Sequence, residues 1–139
     1  MEFVLAECVA VLGDRVHDVE RADDVGALCH GPGVVFIFKK SGTPRIALRR
    51  LVRLLATVDV DRRLTLTLVR IAGAGALLRR PEVAGLYSEE GVIFWVGAGQ
   101  VQSATSVIGI SDDEWIRHTR ALLDYPGVRP DSSASSDQI

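Results

Sequence analysis

The side chains able to carry reactive chemistry here are few. The 139-residue chain holds two cysteines, Cys8 and Cys29, and three histidines, His17, His30 and His118. A thiol turns nucleophilic when a helix N-terminus or a neighbouring cation depresses its pKa. Cys29 fits that description in part, because it is expected near a helix end, beside His30 and just ahead of an apolar run. A monothiol oxidoreductase using Cys29 is therefore one reading of the chain. Cys8 lies in an almost wholly apolar stretch and reads as a packing residue. No pair among Cys8, Cys29, His17 and His30 has zinc-finger spacing, so neither a metal nor a cofactor is expected. His118 is expected on the solvent side of a late helix.

The charges are segregated. Residues 1–38 carry seven acids and two bases, residues 39–80 two acids and eleven bases, and residues 81–139 nine acids and three bases. A block that basic can sustain a local positive field on a chain whose net charge is −2. Within it Arg45, Arg49 and Arg53 recur every four residues, which puts them on one face of a helix. With Lys39, Lys40, Arg62 and Arg63 nearby, that face suits phosphates or an acidic protein. Aromatics are not interleaved with these cations. Phe36 and Phe38 sit on a strand and are expected to be buried, which counts against a platform for single-stranded nucleic acid. The competing expectation is internal. Acids of the flanking segments, among them Asp23, Asp24 and Asp112 to Glu114, would fold back and neutralise the stripe.

Two glycine pairs look like ligand loops but lack the rest of the pattern. Gly73-Ala74-Gly75 follows a strand, yet Leu78 stands where a dinucleotide loop needs its third glycine. Gly97-Ala98-Gly99 reads as a hairpin turn. No Ser-His-Asp set and no carboxylate pair emerges from spacing.

These residues need a scaffold, and residues 33–56 supply its clearest part. Val34-Val35-Phe36-Ile37-Phe38 is a continuous apolar run, as in a central strand covered on both faces. Lys39 to Pro44 is a polar turn, and Arg45 to Ala56 has helical periodicity with proline in the first turn. Residues 2–12 read as a helix apolar nearly all round, to be buried or docked on a partner through Phe3, Val4, Leu5, Val9 and Leu12. A short strand is expected over 15–19, a short helix over 22–29, and a strand over 64–71. A short helix broken by Pro81 falls within 72–86. A hairpin spans 92–96 and 100–107, and Ser111 to Glu114 is a capping box opening a helix through Leu123. Residues 126–139 read as a disordered tail, leaving one domain over 1–125. Alternating β and α elements closed by a hairpin and a helix give an α/β fold with a mixed central sheet flanked by helices. No apolar run reaches the ~18 residues a membrane helix needs. The N-terminus lacks signal-peptide features, so a cytoplasmic protein without membrane contact is expected.

This order is similar to the thioredoxin fold with an extra N-terminal helix. Locally the run Phe38-Lys39-Lys40-Ser41-Gly42-Thr43-Pro44-Arg45-Ile46 resembles the active-site segment of monothiol bacilliredoxins, with Pro44 where that family has its cysteine. Ser88-Glu89-Glu90 stands where the family places Ser-Pro-Gln with a cis-proline. Gly42-Thr43-Pro44 and the helix after it also resemble KaiB-type clock proteins, and the general plan resembles thioredoxin-like chaperones of hydrogenase maturation, which lack the redox cysteines. The resemblance implies a thioredoxin-like domain without its thiol. Such a domain would act by protein–protein interaction as an adaptor, accessory subunit or chaperone. Its partner would be another protein, an acidic one if Arg45, Arg49, Arg53, Lys39 and Lys40 form the contact. Self-association into a homo-oligomer through the first helix is a further expectation, and nucleic acid is the alternative ligand of the basic face.

Overall fold

Val34 to Phe38 are at most 2% exposed, because strands and helices cover them on every side. The computed structural model describes residues 2–24, 31–39 and 42–124, with side chains from Leu5 in the first helix and from Pro44 in the second. Helix α1 spans Glu2–Leu12 and is followed by a tight turn at Gly13–Arg15 and strand β1 at Val16–Val19. Strand β2 is Gly33–Phe38, helix α2 Gly42–Val58 and strand β3 Thr65–Arg70. After a turn at Ile71–Gly73 come the short helix α3, Gly75–Leu78, and another turn at Pro81–Val83. Strands β4, Gly91–Gly97, and β5, Gln100–Ser106, form the closing hairpin before helix α4, Asp112–Asp124.

Among the described residues the strands form one five-stranded sheet in the order β1-β3-β2-β4-β5. β3 runs parallel to both β1 and β2, with Val34 opposite Leu66 and Val16 on the far side of Leu66. β4 runs antiparallel to β2, pairing Phe36 with Ile93, and β5 antiparallel to β4. The sheet is mixed, with the apolar run at its centre, as its sequence implies. Parallel pairs need crossovers, and α2 supplies the one between β2 and β3.

Alternation along the strands divides the core in two. On one face Phe36, Phe38, Leu66, Leu68, Ile93 and Trp95 pack against α1, α2 and α4. On the other, Val35, Ile37, Val69, Val92 and Phe94 pack against Ala22, Ala74, Leu77 and Val83. The segment over 72–86 therefore works as a cover made of turns and one short helix. Gly73 lies so close to β1's exit that a Cβ there would meet the Glu20 carbonyl at 2.0 Å. That contact accounts for glycine at the position without invoking a ligand.

Local signals explain the element ends. The Ser111 hydroxyl accepts from the Glu114 N–H at 3.2 Å, half of the expected capping box. Ala98 and Gly99 both have positive φ, 56° and 74°, as the two-residue hairpin turn requires. Of the helix expected over 22–29, residues 22–24 are irregular, and the rest, with Cys29 and His30, lies outside the described residues, as does the expected tail. Contrary to expectation, His118 is half-buried: its ring lies 4.9 Å from that of Trp95. α4 packs Trp115, Thr119 and Leu122 inward, and position 118 falls on the flank of that stripe.

Candidate functional site

The turn between β2 and α2 is the point where a thioredoxin-like enzyme would hold its thiol. Here the Lys39 N–H donates to the Glu90 carbonyl at 3.1 Å, so Ser88 to Glu90 lie directly against the turn. Gly91, at φ 132°, permits this approach, since a Cβ would meet the Ile37 carbonyl at 2.1 Å. Lys39 is exposed and Pro44 is buried, while Lys40 and Ser41 lie outside the described residues. No residue from Lys39 to Pro44 is a cysteine.

Following α2 outward, the arginines prove unlike one another. Arg45 is exposed and not free of partners. Arg49 donates from Nε and Nη2 to the two carboxylate oxygens of Glu7 on α1, at 2.9 and 3.0 Å. This fork lowers the Glu7 pKa, chiefly through the hydrogen bond from Arg49, and the same bond raises that of Arg49. Arg50, not part of the expected stripe, donates to Asp112 at 2.6 Å and to the Ile110 carbonyl at 2.8 Å. Its guanidinium also lies 4.5 Å from the ring centre of Trp115. Arg53 is exposed and, among the described residues, forms no ion pair. The acidic flanks thus do fold back, but onto Arg49 and Arg50, through Glu7 and Asp112. Glu7 belongs to the acidic N-terminal flank but is not one of the acids singled out in it. Its signal in the sequence is its place in the middle of a helix whose only other charged residue is Glu2 at its start.

α1 divides its apolar residues between core and surface. Cys8 and Leu12 are buried and Leu5 packs on the same cluster. Val9 and Val11 are 43% and 47% exposed. The side chains of Phe3 and Val4 lie outside the described ones. Burial raises the Cys8 thiol to about 11, with the Glu7 charge adding to the effect. Cys8 is therefore a protonated packing group and not a nucleophile.

α1 and α2 enclose a groove of about 230 Å³ lined by Glu7, Cys8, Val11, Arg49, Val52 and Arg53. A second groove, about 260 Å³, runs between α2 and α4 past Arg50, Arg53, Thr57, Asp112 and Ile116. Arg53 borders both. Arg62 and Arg63 stand apart from this face, at the loop entering β3. There Asp59, 2% exposed, accepts from the backbone N–H groups of Arg63 and Leu64 and from Arg15 Nη1.

Among the described residues no group of three His, Cys, Asp or Glu side chains is placed to hold a metal ion. Among them, too, no helix is long and apolar enough to cross a membrane. No protein-family model matches the chain, and no curated protein matches it.

Proposed function

We propose that this chain is a redox-inactive thioredoxin-like domain that acts by binding another protein, as an adaptor, accessory subunit or chaperone. The parallel βαβ half, the closing antiparallel hairpin and the final helix support the thioredoxin-like reading. One observation carries the binding role. The helix whose N-terminus would activate a thiol begins instead with Gly42-Thr43-Pro44, and its outer face presents an arginine, Arg53, that forms no ion pair among the described residues, beside the exposed valines of α1. Disulfide exchange requires a thiolate, and the one cysteine among the described residues is buried and protonated.

The test has two arms. Insulin-disulfide reduction should stay at background for the wild type; activity that vanishes in Cys29→Ser would replace this reading with a monothiol oxidoreductase. Co-purification from the native host should yield a stoichiometric protein partner that is lost with Arg53→Glu. A wild type that recovers no partner, and is instead retained on heparin or DNA in a salt-dependent way, would favour the anion or nucleic-acid alternative.

A further inference from the structure

The three arginines along the middle of α2 have different amounts of unused hydrogen-bonding capacity. Arg49 spends its fork on Glu7, and Arg50 on Asp112 and the Ile110 carbonyl. Arg53, the next turn along, has no carboxylate partner among the described residues. It stands at the lip of the α1–α2 groove, which is lined otherwise by the paired Glu7 and Arg49 and by the apolar surface of Cys8, Val11 and Val52. Val9 and Val11 continue that apolar surface outward along α1.

We infer that this groove receives one large apolar side chain from an acidic segment of a partner protein, with a neighbouring carboxylate of that segment bound to Arg53. The inference rests on the protein-binding reading and specifies its contact. Charge complementarity selects the occupant. An exposed guanidinium whose donors meet no carboxylate among the described residues matches a carboxylate in a two-pronged geometry. The groove beside it, about 230 Å³, has an apolar side made by Cys8, Val11 and Val52 and takes one side chain, not a helix. The Glu7 charge in its wall is already met by Arg49. A polynucleotide would need a row of unneutralised cations, and in the stripe Arg49 is neutralised by Glu7 and Arg45 is not free of partners, while Arg50 beside it is neutralised by Asp112. Arg49 is then a strut between α1 and α2 that shapes the groove, and Arg53 is its recognition group.

The probe is an end-blocked Glu-Glu-Leu-Phe-Glu-Glu peptide titrated into the full chain by NMR, with the Lys-for-Glu peptide as control. The acidic peptide should shift the backbone amides of Val11, Val52 and Arg53. The apparent Kd should weaken at least tenfold in Arg53→Gln and stay unchanged in Arg120→Gln, which alters an exposed arginine on α4. Equal binding by Arg53→Gln, or by the Lys peptide, would overturn the inference. Shifts confined to Thr57 and Ile116 would move the contact to the α2–α4 groove, overturning this site while leaving the protein-binding reading in place. Larger shifts with a dT12 oligonucleotide would assign the face to nucleic acid. A mass that doubles with concentration, with Val11 following it, would give the groove to a second copy of this chain.

Discussion

The indole N–H of Trp95 on β4 donates to the hydroxyl of Thr119 on α4 at 3.0 Å, in the middle of the core. Thr119 passes its own hydrogen to the Trp115 carbonyl at 2.8 Å, and the Trp115 indole donates to Thr105 on β5 at 3.1 Å. Both tryptophans are fully buried. Each brings a donor into a dry interior, and a threonine one layer away accepts it. The closing hairpin and α4 are thereby fixed to each other by geometry as well as by apolar area.

Thr119→Val keeps the shape and removes the acceptor. The Trp95 N–H is then stranded, and we expect a loss of about 1–3 kcal/mol. Urea denaturation of the single variant, and of Thr119→Val combined with Trp95→Phe, checks the cause. If the stranded donor is responsible, adding Trp95→Phe costs less in the Thr119→Val background than in the wild type. Additive costs would place the effect in packing alone.

Asp59 is the second buried polar hub. Its Oδ2 accepts from Arg15 Nη1 at 2.9 Å and from the Leu64 N–H at 2.8 Å, and its Oδ1 from the Arg63 N–H at 2.9 Å. Asp59→Ala removes every one of these acceptors at once and leaves a largely buried guanidinium. We expect about 3 kcal/mol of destabilisation. Asp61→Ala, two residues on and exposed, should move the denaturation midpoint little. Equal effects of the two substitutions would show that the loop, and not the carboxylate, matters.

Much of this scaffold was legible because it depends on local pattern. The unbroken run Val34 to Phe38 marked the central strand, since only a strand covered on both faces tolerates it. Ser111 and Glu114 marked the start of α4, and Ala98-Gly99 the hairpin. What could not be read was which charge meets which. Arg49 and Glu7 are 42 residues apart, and Arg50 and Asp112 are 62 apart. Helical spacing places Arg45, Arg49 and Arg53 on one face but does not say that α1 will lie beside it. His118 differs from expectation for the same reason, because a residue on the flank of α4's buried stripe is covered or exposed according to the neighbour it meets, here Trp95.

Cys8 gives the fold a pH dependence of known sign. Burial raises its pKa from 9.0 to about 11. Between those values the unfolded chain ionises while the folded one does not, so the unfolded state is favoured as pH rises. The Cys8 contribution is fully present below pH 9 and is lost as the pH climbs toward 11. Melting curves of wild type and Cys8→Ala from pH 8 to 11 should converge, with the wild type losing more. Parallel curves would show that Cys8 ionises as freely in the fold as outside it. In the same protein, iodoacetamide should leave Cys8 unmodified until denaturant is added.

α1 should prove part of the core and not an appendage. Leu12 is 2% exposed and packs with Cys8 in the cluster that holds Val52, Leu55 and Trp95. Its carbonyl also accepts from Arg15 Nε at 3.1 Å, tying the end of α1 to the residue that reaches Asp59. Leu12→Ala should cost about 2–4 kcal/mol, since the space it leaves is lined by elements held elsewhere. Val9→Ala on the exposed side of the same helix should cost far less. A chain beginning at Gly13 would lose Cys8 and Leu12 together and uncover Val52, so it should bind a hydrophobic dye and scatter as a larger species. If that shortened chain kept the wild-type midpoint and stayed dye-silent, α1 would contribute nothing to the fold. The Arg49–Glu7 fork would then be a surface contact without consequence, and the groove between α1 and α2 would lose the wall that defines it.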